Sequence, residues 1–161
     1  MTGMEAQPAT EKHRVVVNLR DGTVVKGFLE TAVPTDLASL LQNPTRGFPT
    51  SLTLQTDNGS GVQEIDVTKA KAIFFVKSFE GDKEKHPLRF YANGPAVHGI
   101  WVEVRFKDGE VVEGIIHNSI HHLVENGFLL SPSDPDSNNE VIYVLKSSIS
   151  NYRVLGVRTV R

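Results

Sequence analysis

The pattern of residues 15–29 of this chain returns 87 positions later. Val15-Val16-Val17-Asn18-Leu19-Arg20-Asp21-Gly22-Thr23-Val24-Val25-Lys26-Gly27-Phe28-Leu29 becomes Val102-Glu103-Val104-Arg105-Phe106-Lys107-Asp108-Gly109-Glu110-Val111-Val112-Glu113-Gly114-Ile115-Ile116, with the apolar, Asp-Gly, Val-Val and Gly positions coinciding. Self-similarity at a fixed offset constrains architecture more tightly than any single motif, because it implies one supersecondary unit used twice. Within each copy apolar residues alternate with polar ones, the period of a half-buried strand. Asp-Gly then marks a hairpin, expected to turn through two residues of positive φ. A glycine follows five positions on, inside the returning strand, where it predicts a bulge or a sharp bend. Strands bent in this way close small barrels.

The rest of the chain fits the same scheme. Residues 1–11 are small and aperiodic and read as a tail. A first unit over 12–79 continues through Ser51–Thr56 and Glu64–Thr68 to Ala72-Ile73-Phe74-Phe75-Val76, an apolar run expected to be a buried strand. Its insertion Thr31–Thr50 holds a candidate helical turn at Thr35–Leu41. Residues 80–99 read as a linker with a short strand at Leu88–Tyr91, and a second unit occupies 100–161. There Gly127–Ser131, Val141–Leu145 and Ile149–Leu155 are the later strands, and helix is confined to short loop pieces. The expected class is therefore all-β, as two small, strongly bent barrels in tandem. Each half alone would bury only about 60% of its unfolded surface, so the halves are expected to pack on each other or on another chain.

Composition excludes several functions. The 161 residues carry 17 basic and 19 acidic side chains, a net charge of −2, so no global field attracts polyanions. Cysteine is absent, which removes disulfides, thiolate metal sites and thiol nucleophiles. No apolar run reaches the ~18 residues of a membrane span. Met1–Glu5 lacks the pattern of a signal peptide, and the expected location is cytoplasmic.

The alternating strand, Asp-Gly and later glycine resemble the first motif of Sm-like proteins, which are five-stranded, strongly bent SH3-like barrels. Lys71–Gly81 followed by Val102–Gly114 and Gly127–Glu140 resembles an uncharacterised bacterial family of tandem Sm-like modules, found alone or attached to signalling domains. The resemblance covers nearly everything after residue 12 and implies a module without stating an activity. Sm proteins that bind uridine-rich RNA place an Asp and an Asn six and ten residues after the bending glycine. Here those positions are Val33 and Leu37, then Ile120 and Val124. The polar pair is missing from both copies.

Other constellations are weaker than their structural explanations. His117, His121 and Glu125, with His122, would share a face if helical and could hold zinc or nickel. No similar cluster follows Gly27, so a polar loop explains the letters better. Asp134-Pro135-Asp136-Ser137-Asn138 imitates a calcium loop, but Asn139 replaces the required glycine and Leu145 the terminal glutamate. Asx turns account for that segment. Ser119, His121 and Asp134 make a triad only on paper, with no nucleophile elbow, phosphate loop or His-Glu-x-x-His. Lys12, Arg14, Lys26, Lys69, Lys71 and Lys77 could gather near Phe90 and Tyr91 to bind nucleic acid. They alternate with acids as a solvated face does. Trp101 is expected to pack between the units.

No catalytic, cofactor-binding or metal residue is assigned, and the chain is read as non-enzymatic. The expected function is a protein-binding adaptor module in bacterial signalling or regulation. The partner is another protein, with a second copy of the chain left open, and an Sm-like RNA-binding protein is the alternative.

Overall fold

Alternation along each segment dictates strands, and the computed structural model, which describes residues 10–32, 49–56, 61–80, 99–116, 125–134 and 136–158, contains ten of them. The first half supplies β1 (Thr10–Leu19), β2 (Val24–Ala32), β3 (Ser51–Thr56), β4 (Val62–Asp66) and β5 (Ala70–Val76). The second supplies β6 (Gly99–Phe106), β7 (Val111–Ile116), β8 (Gly127–Pro132), β9 (Asn139–Leu145) and β10 (Ile149–Arg158). Single 3₁₀ turns, Val67–Lys69 and Lys146–Ser148, precede β5 and β10. No helix among the described residues is long and apolar enough to cross a membrane. The helical turn expected at Thr35–Leu41 and the short strand at Leu88–Tyr91 lie outside the described residues.

The strands form one open antiparallel sheet in the order β10-β6-β7-β8-β9-β5-β1-β2-β3-β4. The all-β expectation therefore holds, with the two halves joined edge to edge rather than merely stacked. Each half uses the same internal order, its fifth strand beside its first and its fourth strand last.

The Asp-Gly turns correct one expectation. Only Gly22 and Gly109 have positive φ there, both at 95°, while Asp21 and Asp108 do not. Leu19 N–H donates to Thr23 C=O at 2.8 Å and Gly22 N–H to Leu19 C=O at 3.0 Å. Phe106, Glu110 and Gly109 repeat this at 2.8 and 2.9 Å. These are three-residue loops, a tight turn followed by a glycine bulge, not two-residue primed turns. The aspartate lends its Oδ1 to the next amide but one, Thr23 at 2.8 Å and Glu110 at 3.0 Å. That Asx bond explains the aspartate before the glycine.

Gly27 and Gly114 serve a different need. A Cβ on Gly27 would stand 2.5 Å from the carbonyl oxygen of Gln55, and one on Gly114 would press on Ser131 O and, at 2.5 Å, on Leu130 Cδ2. The second strand here runs against the third, at Gly27↔Thr56 and Gly114↔Pro132. Glycine is required by close approach of two backbones; the bulge offered for this position is not found, since the β1·β2 and β6·β7 registers pass Gly27 and Gly114 without a shift.

Two cores lie on opposite faces. Val15, Val17, Leu52, Leu54, Ile65, Ile73 and Phe75 form the first; Val102, Val104, Phe106, Ile116, Phe128 and Leu130 anchor the second. β5 and β9 serve both. Ile73 and Phe75 join Val141, Tyr143 and Leu145 in the first core, while Ala72, Phe74 and Val76 join Ile142 and Val144 in the second. A strand buried on both faces needs a continuous apolar run, which is why Ala70–Val76 has one and half-solvated β1 does not.

Candidate interaction edges and the seam between the halves

The seam is the antiparallel pair β5·β9, in register Ala72↔Val144, Ile73↔Tyr143, Phe74↔Ile142 and Phe75↔Val141. Asn138 prolongs it. Lys77 N–H donates to Asn138 C=O at 2.8 Å, and the Asn138 side chain donates to Ser78 C=O at 2.9 Å while accepting from Ser78 N–H at 3.1 Å. An amide side chain can thus extend a ladder where the backbone turns away. Asp134 Oδ1 accepts from Asp136 N–H at 2.9 Å, so the segment that imitates a calcium loop is built on an Asx turn.

At the other end of β5, Lys71 is 9% exposed and crosses the seam. Its Nζ lies 2.7 Å from Asp108 Oδ2 and 3.2 Å from Glu110 Oε1, and 4.6 Å from the Phe106 ring centroid. Burial of a lysine is tolerable because two carboxylates and an aromatic face receive the charge. The Lys71 hydrogen bond, then the Glu110 amide, hold the Asp108 carboxyl below the ordinary carboxylate range. A depressed folded value stabilises the fold above the unfolded pKa, and that contribution is lost as pH falls through the folded value. Denaturation midpoints of the wild type should therefore drop on acidification below about pH 4, more steeply than those of Lys71→Met. Parallel pH profiles would refute this latch.

Arg20 also reaches across, with Nη2 donating to Thr68 C=O at 3.0 Å and Nη1 to Ser147 Oγ at 3.4 Å. It separates two open clefts. One, of about 460 Å³, is lined by Thr68, Glu125, Asn126, Tyr143 and Lys146; the other, of about 490 Å³, by Leu19, Lys71, Phe106 and Lys107. Burial, with Glu125 adding to it, pushes the Tyr143 phenol up to about 12. It is a neutral hydrogen-bonding group at physiological pH, not a base.

The six basic residues do not converge. Lys71 and Lys77 stand at opposite ends of β5, about 20 Å apart at the rise of an extended strand. Arg14 Nη1 donates to Lys77 C=O at 3.4 Å and Lys26 Nζ to Phe79 C=O at 3.3 Å. Lys12 faces Glu30 across β1·β2. Phe90 and Tyr91 lie outside the described residues, as do Ser119, His117, His121 and His122. No group of three metal-ligating side chains converges among the described residues. Trp101, expected between the units, sits on β6 opposite Ile115, and its indole N–H donates to Glu113 at 2.6 Å within its own half.

Periodicity alone did not single out the sheet's two ends. Among the described residues β4 and β10 each have one strand neighbour. Shared pairing partners identify β10 with β5: Phe75 lies opposite Val15, and Val154 opposite Val102, the repeat of Val15. Phe75, beside Val141 of β9, is 1% exposed, whereas Val154 is 56% exposed. Likewise β4 corresponds to β9, and Val62, 70% exposed, holds the place of buried Val141. Among the described residues, three of the five exposed large hydrophobics, Val62, Val154 and Val157, lie on these two strands. For β10 the signal was present in the repeat, as a valine standing where the other copy carries phenylalanine, whereas Val62 and Val141 share the same letter.

Comparison with curated proteins and with solved structures finds no match. Residues 11–156 match the model of DUF6982, a family of unknown function, and the chain belongs to that family.

Proposed function

We propose that this chain is a non-catalytic protein-binding module built from two Sm-like barrels, and that it captures an extended segment of a partner along β10. The barrel reading rests on the repeated strand order, the 3₁₀ turn before each fifth strand and the crowded glycine in each second strand. One observation carries the binding reading. Val154 is open to solvent at a position whose counterpart, Phe75, is flanked by an added strand. Strand addition supplies affinity through backbone hydrogen bonds, and alternate side chains supply specificity. An edge with exposed valines is suited to this, since a protected edge would carry lysine or proline at such places. The cysteine-free composition suits a reducing compartment, and we place the module in the bacterial cytoplasm, in signalling or regulation.

A displayed library of extended peptides tests the reading. Selection should enrich sequences with apolar residues at alternate positions, and Val154→Lys should lower their affinity at least about tenfold. Affinity for uridine-rich RNA at near-physiological salt should be no tighter than about 10⁻⁵ M. A library that yields no binders would overturn the reading. So would tight, salt-sensitive RNA binding lost on mutating Lys26, Lys69 and Lys71.

A further inference from the structure

We infer that the strand added to β10 is β4 of a second copy of this chain, so that copies associate head to tail. This rests on the strand-accepting reading of β10 and names its occupant. The argument is continuity with the seam. β5 and β9 pair inside the molecule, and the two strands that have one neighbour among the described residues, β10 and β4, are their counterparts in the other half. Carrying the seam's register across places Val154 opposite Val62, Arg153 opposite Gln63, Tyr152 opposite Glu64 and Asn151 opposite Ile65. The two exposed valines then meet where Phe75 meets Val141.

The exposed residues of β4 include Glu64 and Asp66, whereas β10 exposes Arg153. In this register Arg153 lies opposite Gln63, on the other face of the sheet from Glu64 and Asp66, so the pairing rests on the repeated register and on the two exposed valines. Association should nevertheless be weak. Glu64 and Asp66 replace the seam's Tyr143 and Leu145, and Asn151 and Arg153 replace Ala72 and Phe74, so little apolar surface is buried. The interface is heterologous, and copies close into a ring or continue as a filament according to the rotation between them.

Sedimentation velocity and light scattering from low micromolar to millimolar concentration read the outcome. The wild type should grow in mass with concentration. Val62→Lys and Val154→Lys, both at exposed positions and checked for folding by circular dichroism, should each remain monomeric where the wild type associates. Mixed together they should form one-to-one dimers, because each keeps the edge that the other has lost. A wild type monomeric throughout, a single variant that still assembles, or a mixture that stays monomeric would overturn the inference. If assembly fails while library-selected peptides still bind the monomer and lose affinity in Val154→Lys, the strand-accepting reading stands and only the second copy is refuted as occupant. Failure of both experiments would refute both.

Discussion

Gly114→Val is expected to lose about 3 kcal/mol or more of folding stability, at the upper end of what overpacking costs. The added Cβ would press on Ser131 O and would reach Leu130 Cδ2 at 2.5 Å and Ser131 C at 2.8 Å. Two of these are backbone atoms of β8, which can retreat only by breaking the β7·β8 pairing. Gly27→Val meets Gln55 O at 2.5 Å and Leu54 Cβ at 3.0 Å and should be somewhat milder. Gly109→Ala supplies the contrast. Nothing lies within 4 Å of its added Cβ, so only the φ of 95° opposes it, at a cost of about 1 kcal/mol. Urea denaturation midpoints of the three variants should rank in this order. A wild-type midpoint for Gly114→Val would remove the reason given for a glycine in the second strand.

Phe75→Ala is expected to cost about 3–5 kcal/mol, the range for deleting a buried phenyl ring. Phe75 is 1% exposed in the first core and belongs to the strand that both cores share. Val154→Ala, the same change of position in the other half, should stay within about 0.5 kcal/mol because Val154 is exposed. Destabilisation in Phe75→Ala should reach the second half as well. Trp101 fluorescence, which reports that half, should lose its transition midpoint in step with the far-ultraviolet dichroism. A Trp101 transition that holds its wild-type midpoint in Phe75→Ala would show that the halves unfold separately and that the shared strand does not couple them.

The letters that repeat at an offset of 87 were sufficient for the local structure. They placed β1, β2, β6 and β7 and both Asp-Gly loops, because each depends on neighbours a few residues away, whereas the residues that crowd Gly27 and Gly114, Gln55 and Ser131, come from a later strand. The loop type escaped because Asp-Gly suits two loop geometries, and only the hydrogen bond from Leu19 to Thr23 distinguishes them. Ala72–Val76 announced burial on both faces without naming what covers it. Its cover, Val141–Val144, stands about seventy positions away, and no periodicity encodes a pairing at that distance. The same remoteness misled the reading of charge. Lys71 reads as part of a solvated face of alternating charge, yet it is buried and its carboxylate partners Asp108 and Glu110 come from the other half. The edge at β10 was visible only once Val154 and Phe75 could be recognised as equivalent positions.

The double duty of β5 has a consequence for how the chain is born. Its outer row, Ala72, Phe74 and Val76, is completed only by Ile142 and Val144. On a ribosome at ~5–20 residues per second, the roughly seventy residues between the end of β5 and the end of β9 take about 3–14 s to appear. For that interval an apolar strand edge is exposed on a half-made protein, and chaperone engagement should be concentrated there.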